Sequence, residues 1–151
     1  STLLGMAATL YPRSRVVHVV RDPRDVAVSC HFGRFRANAI PYAGRLDWTA
    51  AAWRDTERLI AHWSEVLDLP MITIRYETLV SQPETEVRRL LDFLDLPWND
   101  RCLAFHETDR PIQTLSVDQV ARPMHAGSVG RHRRHAARVD AVDWPPYPPA
   151  D

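Results

Sequence analysis

Lysine is absent from this 151-residue chain, and all 19 basic residues are arginine. This absence excludes a lysine nucleophile, a lysine Schiff base and a P-loop lysine within these residues. The two cysteines, Cys30 and Cys102, match neither a disulfide scaffold nor a zinc site. No apolar run is long enough to span a membrane, and no secretory leader is recognisable. We therefore expect a reducing, cytoplasmic setting.

Excess charge is also absent, because the 19 basic residues are matched by 19 acidic ones. A net charge of zero argues against a whole-protein attraction to nucleic acid or to an anionic membrane. Apolar residues make up 45% of the chain and charged residues 25%, which is typical of a globular domain. The chain begins at Ser1 in what reads as the middle of a helix. We expect a single domain whose front end is missing.

Apolar segments with strand and helix periodicity alternate along the chain. The pattern predicts a strand at Val16–Val20, a helix from Pro23 to about residue 36, a helix capped by Asp47, a strand over residues 71–76 and a helix behind the capping-box spacing of Ser81 and Glu84. Strands that alternate with helices indicate an α/β layered domain with a parallel sheet. The tail after residue 138 is rich in proline and is expected to be extended or disordered.

The first predicted strand leads directly into a helix, and this junction carries the first candidate site. Asp22 fits the N-cap, Pro23 the first helical position and Asp25 the third. Arg21 at the strand end and Ser29 two turns into the helix are placed to grip one phosphate between a guanidinium and a hydroxyl. The alternative is structural: Arg21 pairs with Asp22 or Asp25 and binds no ligand.

Three later segments follow this junction in a recognisable order. They are Ile74–Val80 with its Arg-Tyr-Glu core, Ser116–Val120, and the Gly-Ser-Val-Gly-Arg run at Gly127–Arg131. Together with the junction they resemble sulfotransferases that use 3′-phosphoadenosine 5′-phosphosulfate (PAPS), within these the bacterial tyrosylprotein-sulfotransferase-like group often fused to tetratricopeptide repeats. The resemblance implies a P-loop NTPase-like three-layer fold with a parallel sheet, incomplete at the N-terminus. Residues 1–138 would be the C-terminal portion of that domain, and 139–151 a proline-rich tail.

The resemblance also implies roles for individual residues. Arg21 and Ser29 would hold the 3′-phosphate of the donor, Tyr76 would lie against the adenine, and Ser116 would lie near the donor. The glycine-containing loop, which closes over the 3′-phosphate in that family, corresponds here to Gly127 and Gly130 with Arg131 and Arg133. This chain departs from the family pattern just before that loop, because His125-Ala126 stands where many members have a basic pair.

The implied activity is transfer of a sulfuryl group from PAPS to a hydroxyl or amine, with no metal required. The family's glycine-rich 5′-phosphosulfate loop and general base both precede the segment that this chain covers, so no catalytic residue is assigned. We expect the chain alone to be inactive. The acceptor stays open among peptide tyrosine, carbohydrate and a small alcohol. His18 and His106 are interpreted as structural rather than catalytic.

Three alternatives stand beside this interpretation. Another P-loop-type transferase, such as a kinase, would share the α/β layout. A non-catalytic module that binds phosphate or nucleic acid would use the arginine- and histidine-rich run over residues 122–138, although that run lacks interleaved aromatics. A zinc site built from His125, His132 and His135 fits no familiar ligand spacing.

Overall fold

The computed structural model describes residues 2–32, 41–107 and 124–147. Its sheet has two parallel strands, β1 (Val16–Val20) and β2 (Met71–Arg75). The register aligns Val16 with Met71 at one end and Val20 with Arg75 at the other. Both strands were predicted, and the α/β class with a parallel sheet is confirmed.

Six α-helices connect and cover the strands in the described part of the chain. They are α1 (Leu4–Leu10), α2 (Pro23–Phe32), α3 (Leu46–Val66), α4 (Tyr76–Ser81), α5 (Pro83–Phe93) and α6 (Ala136–Val139). Short 3-10 turns occupy Pro41–Gly44, Asp100–Cys102, Phe105–Glu107, Ala126–Ser128 and Arg131–His135. The second strand ends one residue earlier than predicted, because Tyr76 already begins α4.

The three predicted helix caps have different outcomes. Asp22 caps α2 as predicted, since its Oδ1 accepts the backbone N–H of Arg24 at 2.9 Å. The Asp47 cap is wrong: the N-cap of α3 is Arg45, whose guanidinium binds the Asp47 carboxylate at 2.7 and 3.0 Å. The Ser81 capping box is also wrong. Ser81 is the last residue of α4, and its hydroxyl donates to the carbonyl of Thr78 instead.

The buried core lies where α2 and α3 meet the carboxyl end of the sheet. Its apolar members in the described chain are Val20, Ala27, Val28, Ala43, Ala50, Ile74 and Val139. Helix α3 lies on one face of the sheet and is tied to it by the His18 Nε2–Glu57 Oε1 contact at 3.1 Å. This contact supports the interpretation of His18 as a structural residue.

The two outer edges of the sheet differ. At β2, the Arg89 guanidinium of α5 donates to the carbonyl of Thr73 at 2.8 Å and so covers part of that edge. On β1, Val17 and Val19 are 37% and 61% exposed, and they line a groove of about 410 Å³ beside α1. The described structure therefore has an exposed apolar surface beside β1.

The proline-rich tail contacts the domain up to the last described residue. It contains no helix or strand over residues 143–147, as expected of an extended segment. The Trp144 indole N–H donates to the carbonyl of Val139 at 2.7 Å, and Arg54 of α3 lies 3.3 Å from the Asp143 carboxylate. Within the described ranges, no helix is both apolar enough and long enough to cross a lipid bilayer.

The first testable prediction concerns the core. Ile74 is 2% exposed, so Ile74→Ala leaves a cavity between the sheet and its helices. We expect a loss of about 2–5 kcal/mol in the free energy of unfolding, measured by urea denaturation. Leu96→Ala is the matched control, because Leu96 is 51% exposed and the truncation should cost much less. Equal losses from both variants would contradict this placement of the core.

Candidate functional site

The parallel pairing brings the residues that follow the two strands together at one edge of the sheet. Arg21 follows β1 and Tyr76 follows β2, and the Arg21 guanidinium carbon lies 4.5 Å from the centre of the Tyr76 ring. The backbone N–H of Asp22 donates to Glu77 Oε1 at 3.0 Å. The Trp53 indole N–H of α3 donates to the carbonyl of Arg21 at 3.2 Å, which fixes the backbone there.

Arg21 also reaches the third predicted segment, 107 residues further along the chain. Its Nη2 donates to the backbone carbonyl of Ser128. The side chain is 20% exposed, and its Nε is buried without a hydrogen-bond partner in the described residues. One arginine therefore joins the strand end, the ring of Tyr76 and the Gly127–Arg131 loop.

The alternative in which Arg21 pairs with Asp22 or Asp25 and binds no ligand is supported only by a long contact. Its Nη2 lies 3.9 Å from Asp25 Oδ2, beyond hydrogen-bond distance. Asp22 is paired with Arg24 instead, through contacts of 2.9 and 2.6 Å. Burial disfavours ionisation of Asp22, but the hydrogen bonds and charge of Arg24 outweigh it and lower the pKa of the carboxyl.

Asp25 makes the contacts that sequence reasoning missed. Its carboxylate is almost completely buried, with 1% of the side chain exposed. Oδ2 accepts the backbone N–H of Gly130 at 2.6 Å, and Oδ1 accepts the backbone N–H of His132 at 2.9 Å. The His132 Nδ1 lies 2.8 Å from the same Oδ1. Helix α2 and the glycine loop are thus joined through one carboxylate.

Ser29 lies on α2, one turn after Asp25, and is half-buried. Burial raises the pKa of the neighbouring Cys30 thiol, and the positive charge of Arg21 opposes that rise. Ser116 lies outside the described residues.

The predicted loop residues differ in their surroundings. Gly127 is exposed, and its N–H donates to Nδ1 of His125 at 3.1 Å. Gly130 has a φ of +70°, in the left-handed region that favours glycine. Arg131 is half-buried, whereas Arg133 and Arg134 are exposed. The His125 ring thus makes a local turn contact at the position where many family members carry a basic residue.

Two cavities flank Arg21 and its neighbours. One of about 360 Å³ is lined by side chains that include Arg24, Arg75, Arg133 and Tyr147, together with Gly130. A second, of about 230 Å³, lies between α2 and α3 and has Arg21 in its wall. Of the residues predicted for the donor that the structure describes, Gly130 lines the larger of these two cavities. Arg133, which the sequence analysis placed with the glycine loop, also lines this cavity, and Arg24 adds a guanidinium group there that was not singled out for this role.

A second contact that the sequence did not reveal joins the tail to the site. The Tyr147 hydroxyl donates to Glu77 Oε2 at 2.6 Å. Its ring lies 4.5 Å from the guanidinium carbon of Arg75 and makes an edge contact with Trp53 at 6.0 Å. Burial and then the hydrogen bond to the Glu77 carboxylate raise the pKa of Tyr147 well above its usual value.

The histidines considered for a zinc site are engaged separately. His132 binds Asp25, His125 accepts from Gly127, and the His135 ring lies 4.7 Å from that of Phe32. Within the ranges that the structure describes, no three His, Cys, Asp or Glu residues are grouped as metal ligands.

Comparison with known proteins identifies the family. A model described as the sulfotransferase family matches residues 2–100. The chain belongs to the sulfotransferase family. An uncharacterized protein of Aquifex aeolicus is 32% identical over 92% of this chain and 18% of its own length. Protein-tyrosine sulfotransferase A of Caenorhabditis elegans is 24% identical over 77% of the chain and 32% of its own length. Protein-tyrosine sulfotransferase 1 of Danio rerio is 28% identical over 79% of the chain and 33% of its own length.

A solved structure agrees with this membership at the level of fold. The sulfotransferase domain from the curacin biosynthetic pathway superposes with a TM-score of 0.59 at 18% identity. The match covers 95% of this chain and 59% of the curacin chain. The chain thus spans between about a fifth and a third of the three sequence relatives described above.

The second testable prediction follows from the Tyr147 contact. Because the folded state raises the pKa of Tyr147, it favours the neutral phenol, and this stabilisation is complete below the unfolded value near 10. It is lost as the pH rises above that value. In an absorbance titration of the four tyrosines, we expect one phenol to ionise late. Tyr147→Phe should remove that late component and flatten the alkaline loss of stability.

Tyr11→Phe is the control for this titration, since Tyr11 is 67% exposed. It should leave the late component in place. The placement of the tail would be wrong if all four tyrosines of the native protein titrated together.

Proposed function

We propose that this chain forms the 3′-phosphoadenosine-binding part of a PAPS-dependent sulfotransferase with a P-loop-like three-layer fold. Membership of the family supports the reaction class. The observation that carries the binding role is the position of Arg21, which contacts the ring of Tyr76 and the Ser128 carbonyl at the carboxyl edge of the sheet. That edge is where open α/β sheets place phosphorylated ligands.

The proposed reaction moves a sulfuryl group between two oxygens, or from oxygen to nitrogen. The bond from sulfur to the 5′-phosphate oxygen breaks, a bond from sulfur to the acceptor forms, and the acceptor gives its proton to a base. The second product is 3′,5′-ADP. This chain has five glycines and no glycine-rich loop after a strand, so its part in the proposal is recognition of the donor. Transfer itself is expected to need residues beyond those seen here.

A phosphate beside Arg21 satisfies the chemistry of that side chain. A guanidinium offers five N–H donors in a planar fork that matches phosphate oxygens. In the described structure, Arg21 directs Nη2 to Ser128, keeps Nε buried without a partner and lies 3.9 Å from Asp25 of α2. Ser29, half-buried on that helix, would supply a hydroxyl to the same phosphate.

The adenosine would lie on the Tyr76 side of this phosphate. Arg21 covers one face of the Tyr76 ring at 4.5 Å, so an adenine would contact the opposite face or the edge. The Gly127–Arg131 loop bounds the other side, with the half-buried Arg131 adding positive charge. Ser116 belongs to the proposed donor site through the family resemblance alone.

The acceptor is proposed as a class rather than as a compound. Two relatives carry the name protein-tyrosine sulfotransferase, at 24% and 28% identity. Their names support a tyrosine hydroxyl of a peptide as one candidate acceptor. Carbohydrate and small-alcohol hydroxyls fit the same transfer chemistry, and acceptor profiling of the active protein distinguishes among the three.

The third testable prediction measures donor recognition directly. Arg21→Ala removes a charge-assisted contact to the 3′-phosphate and should weaken binding of 3′,5′-ADP by about 10- to 100-fold in calorimetry. Ser29→Ala removes a single hydroxyl and should weaken it less, by about 3- to 10-fold. Binding of 5′-AMP, which lacks the 3′-phosphate, should change little in either variant. The preference for 3′,5′-ADP over 5′-AMP should therefore fall.

Matched controls separate this effect from a general loss of charge or of a hydroxyl. Arg13→Ala removes an exposed arginine near the opposite end of β1, and Ser64→Ala removes a hydroxyl from α3. Both should bind 3′,5′-ADP like the unmodified protein. Normal 3′,5′-ADP binding by both site variants would refute the phosphate assignment.

A further inference from the structure

The Asp25 carboxylate is an unusual feature for a site that is proposed to bind a phosphate. It is 1% exposed and lies in the first turn of α2. A negative charge there repels an anion and opposes the attraction of the helix N-terminus. A buried carboxylate also costs free energy unless it is fully hydrogen-bonded. Its position therefore needs a compensating role.

The contacts of Asp25 show what compensates its burial. Two backbone N–H groups and one ring nitrogen of the 130–132 segment lie within 2.6–2.9 Å of its two oxygens. The nearest arginine, Arg21, stays at 3.9 Å, so the carboxylate is held mainly by the loop. Backbone N–H groups of this kind commonly bind phosphate in glycine-containing loops. Here a carboxylate of the same chain already occupies them.

The conformation of Gly130 is tied to this contact. Its φ of +70° turns the chain so that the N–H groups of Gly130 and His132 converge on one carboxylate. The carbonyl of Ser128, two residues earlier, then meets Arg21. The loop is therefore held against α2 by contacts between groups of this chain, which are separated by more than 100 residues of sequence.

We propose that Asp25 is a positioning residue of the donor site, which holds the Gly127–Arg131 loop in its binding conformation before the donor arrives. This inference rests on the proposed function. Fixing a loop in advance removes the entropy cost of ordering it on binding, and so raises affinity. It also leaves the side chains of Arg21, Ser29 and Arg131, rather than the amides of Gly130 and His132, as the groups that hold the phosphate.

The inference predicts the direction in which the affinity for 3′,5′-ADP changes when the charge of Asp25 is removed. If Asp25 acted on the donor through its charge alone, Asp25→Asn would relieve repulsion and tighten the binding of 3′,5′-ADP. If it positions the loop, the amide side chain loses one acceptor oxygen and releases part of the loop, so binding weakens. The two effects oppose each other, and the direction of the change distinguishes them.

The test compares Asp25→Asn with the unmodified protein in two measurements. Calorimetry should show about a 10-fold weaker affinity for 3′,5′-ADP in the variant. Hydrogen exchange of the Gly130 and His132 amides, measured without ligand, should be faster by a similar factor, while amides of Ile74 and its neighbours keep their protection. The second measurement reads the loop directly and does not depend on any activity.

Glu86→Gln is the matched control. Glu86 is also a buried acid, at 8% exposure, but it is bound to Arg89 on α5. Its substitution should leave both the affinity and the loop exchange unchanged.

If Asp25→Asn does not fold, Gly130→Ala provides a second test of the positioning role. A Cβ at Gly130 would meet Arg133 Nε at 3.6 Å, an ordinary contact, so the strain comes from φ alone. We expect about a 5-fold loss of affinity from that strain.

Each outcome has a defined meaning. Unchanged or tighter binding of 3′,5′-ADP by Asp25→Asn and Gly130→Ala, with normal binding by the unmodified protein, overturns the positioning role and leaves the proposed function standing. Slow exchange of the loop amides in Asp25→Asn overturns it as well. An unmodified protein that binds no 3′,5′-ADP overturns the proposed function, and the positioning role with it.

Discussion

The parallel pairing of β1 and β2 is the constraint on which the site depends. Parallel strands end at the same edge of a sheet, so the residues that follow each strand meet there. The register places Val20 beside Arg75, and the residues that follow the two strands are Arg21 and Tyr76. A shift of one residue would turn every side chain of one strand to the other face. The contact between Arg21 and Tyr76, and the hydrogen bond from Asp22 to Glu77, both follow from this register.

The acids of the site are distributed so that each carboxylate has a partner. Asp22 pairs with Arg24, Glu77 accepts from the Asp22 backbone and the Tyr147 hydroxyl, and Asp25 accepts from the 130–132 segment. These contacts join the sheet edge, the first turn of α2, the glycine loop and the tail. Within the described residues, no carboxylate lies within hydrogen-bond distance of Arg21. The nearest, that of Asp25, lies 3.9 Å from Nη2 and forms an ion pair with Arg21 without occupying one of its N–H donors.

The local features of the sequence predicted the local parts of this arrangement. An apolar β-branched run, a capping aspartate and a proline at the first helical position place β1, the start of α2 and Arg21 correctly. Similar local rules failed at Asp47 and Ser81. In the first case an adjacent guanidinium captures the carboxylate, and in the second the residue belongs to the preceding helix. Cap preferences give way to such competing partners.

The long-range contacts could not be predicted in the same way. Asp25 meets Gly130 at a sequence separation of 105, and Glu77 meets Tyr147 at a separation of 70. No periodicity or spacing relates such residues, because the fold alone brings them together. An aspartate at the third position of a helix is fully explained as a favourable charge at its N-terminus. Its role as the acceptor for the glycine loop becomes visible only when the loop is seen against the helix.

The contacts at position 21 favour arginine over lysine, a residue that this chain lacks. The guanidinium carbon lies over the Tyr76 ring, 4.5 Å from its centre, while one of the guanidinium N–H groups donates to Ser128. A lysine ammonium is a compact point charge and lacks the extended, planar fork of donors that an arginine offers to several partners at once. The contact with the ring and the bond to the loop hold the guanidinium at two points, so its position at the strand end is determined by the fold.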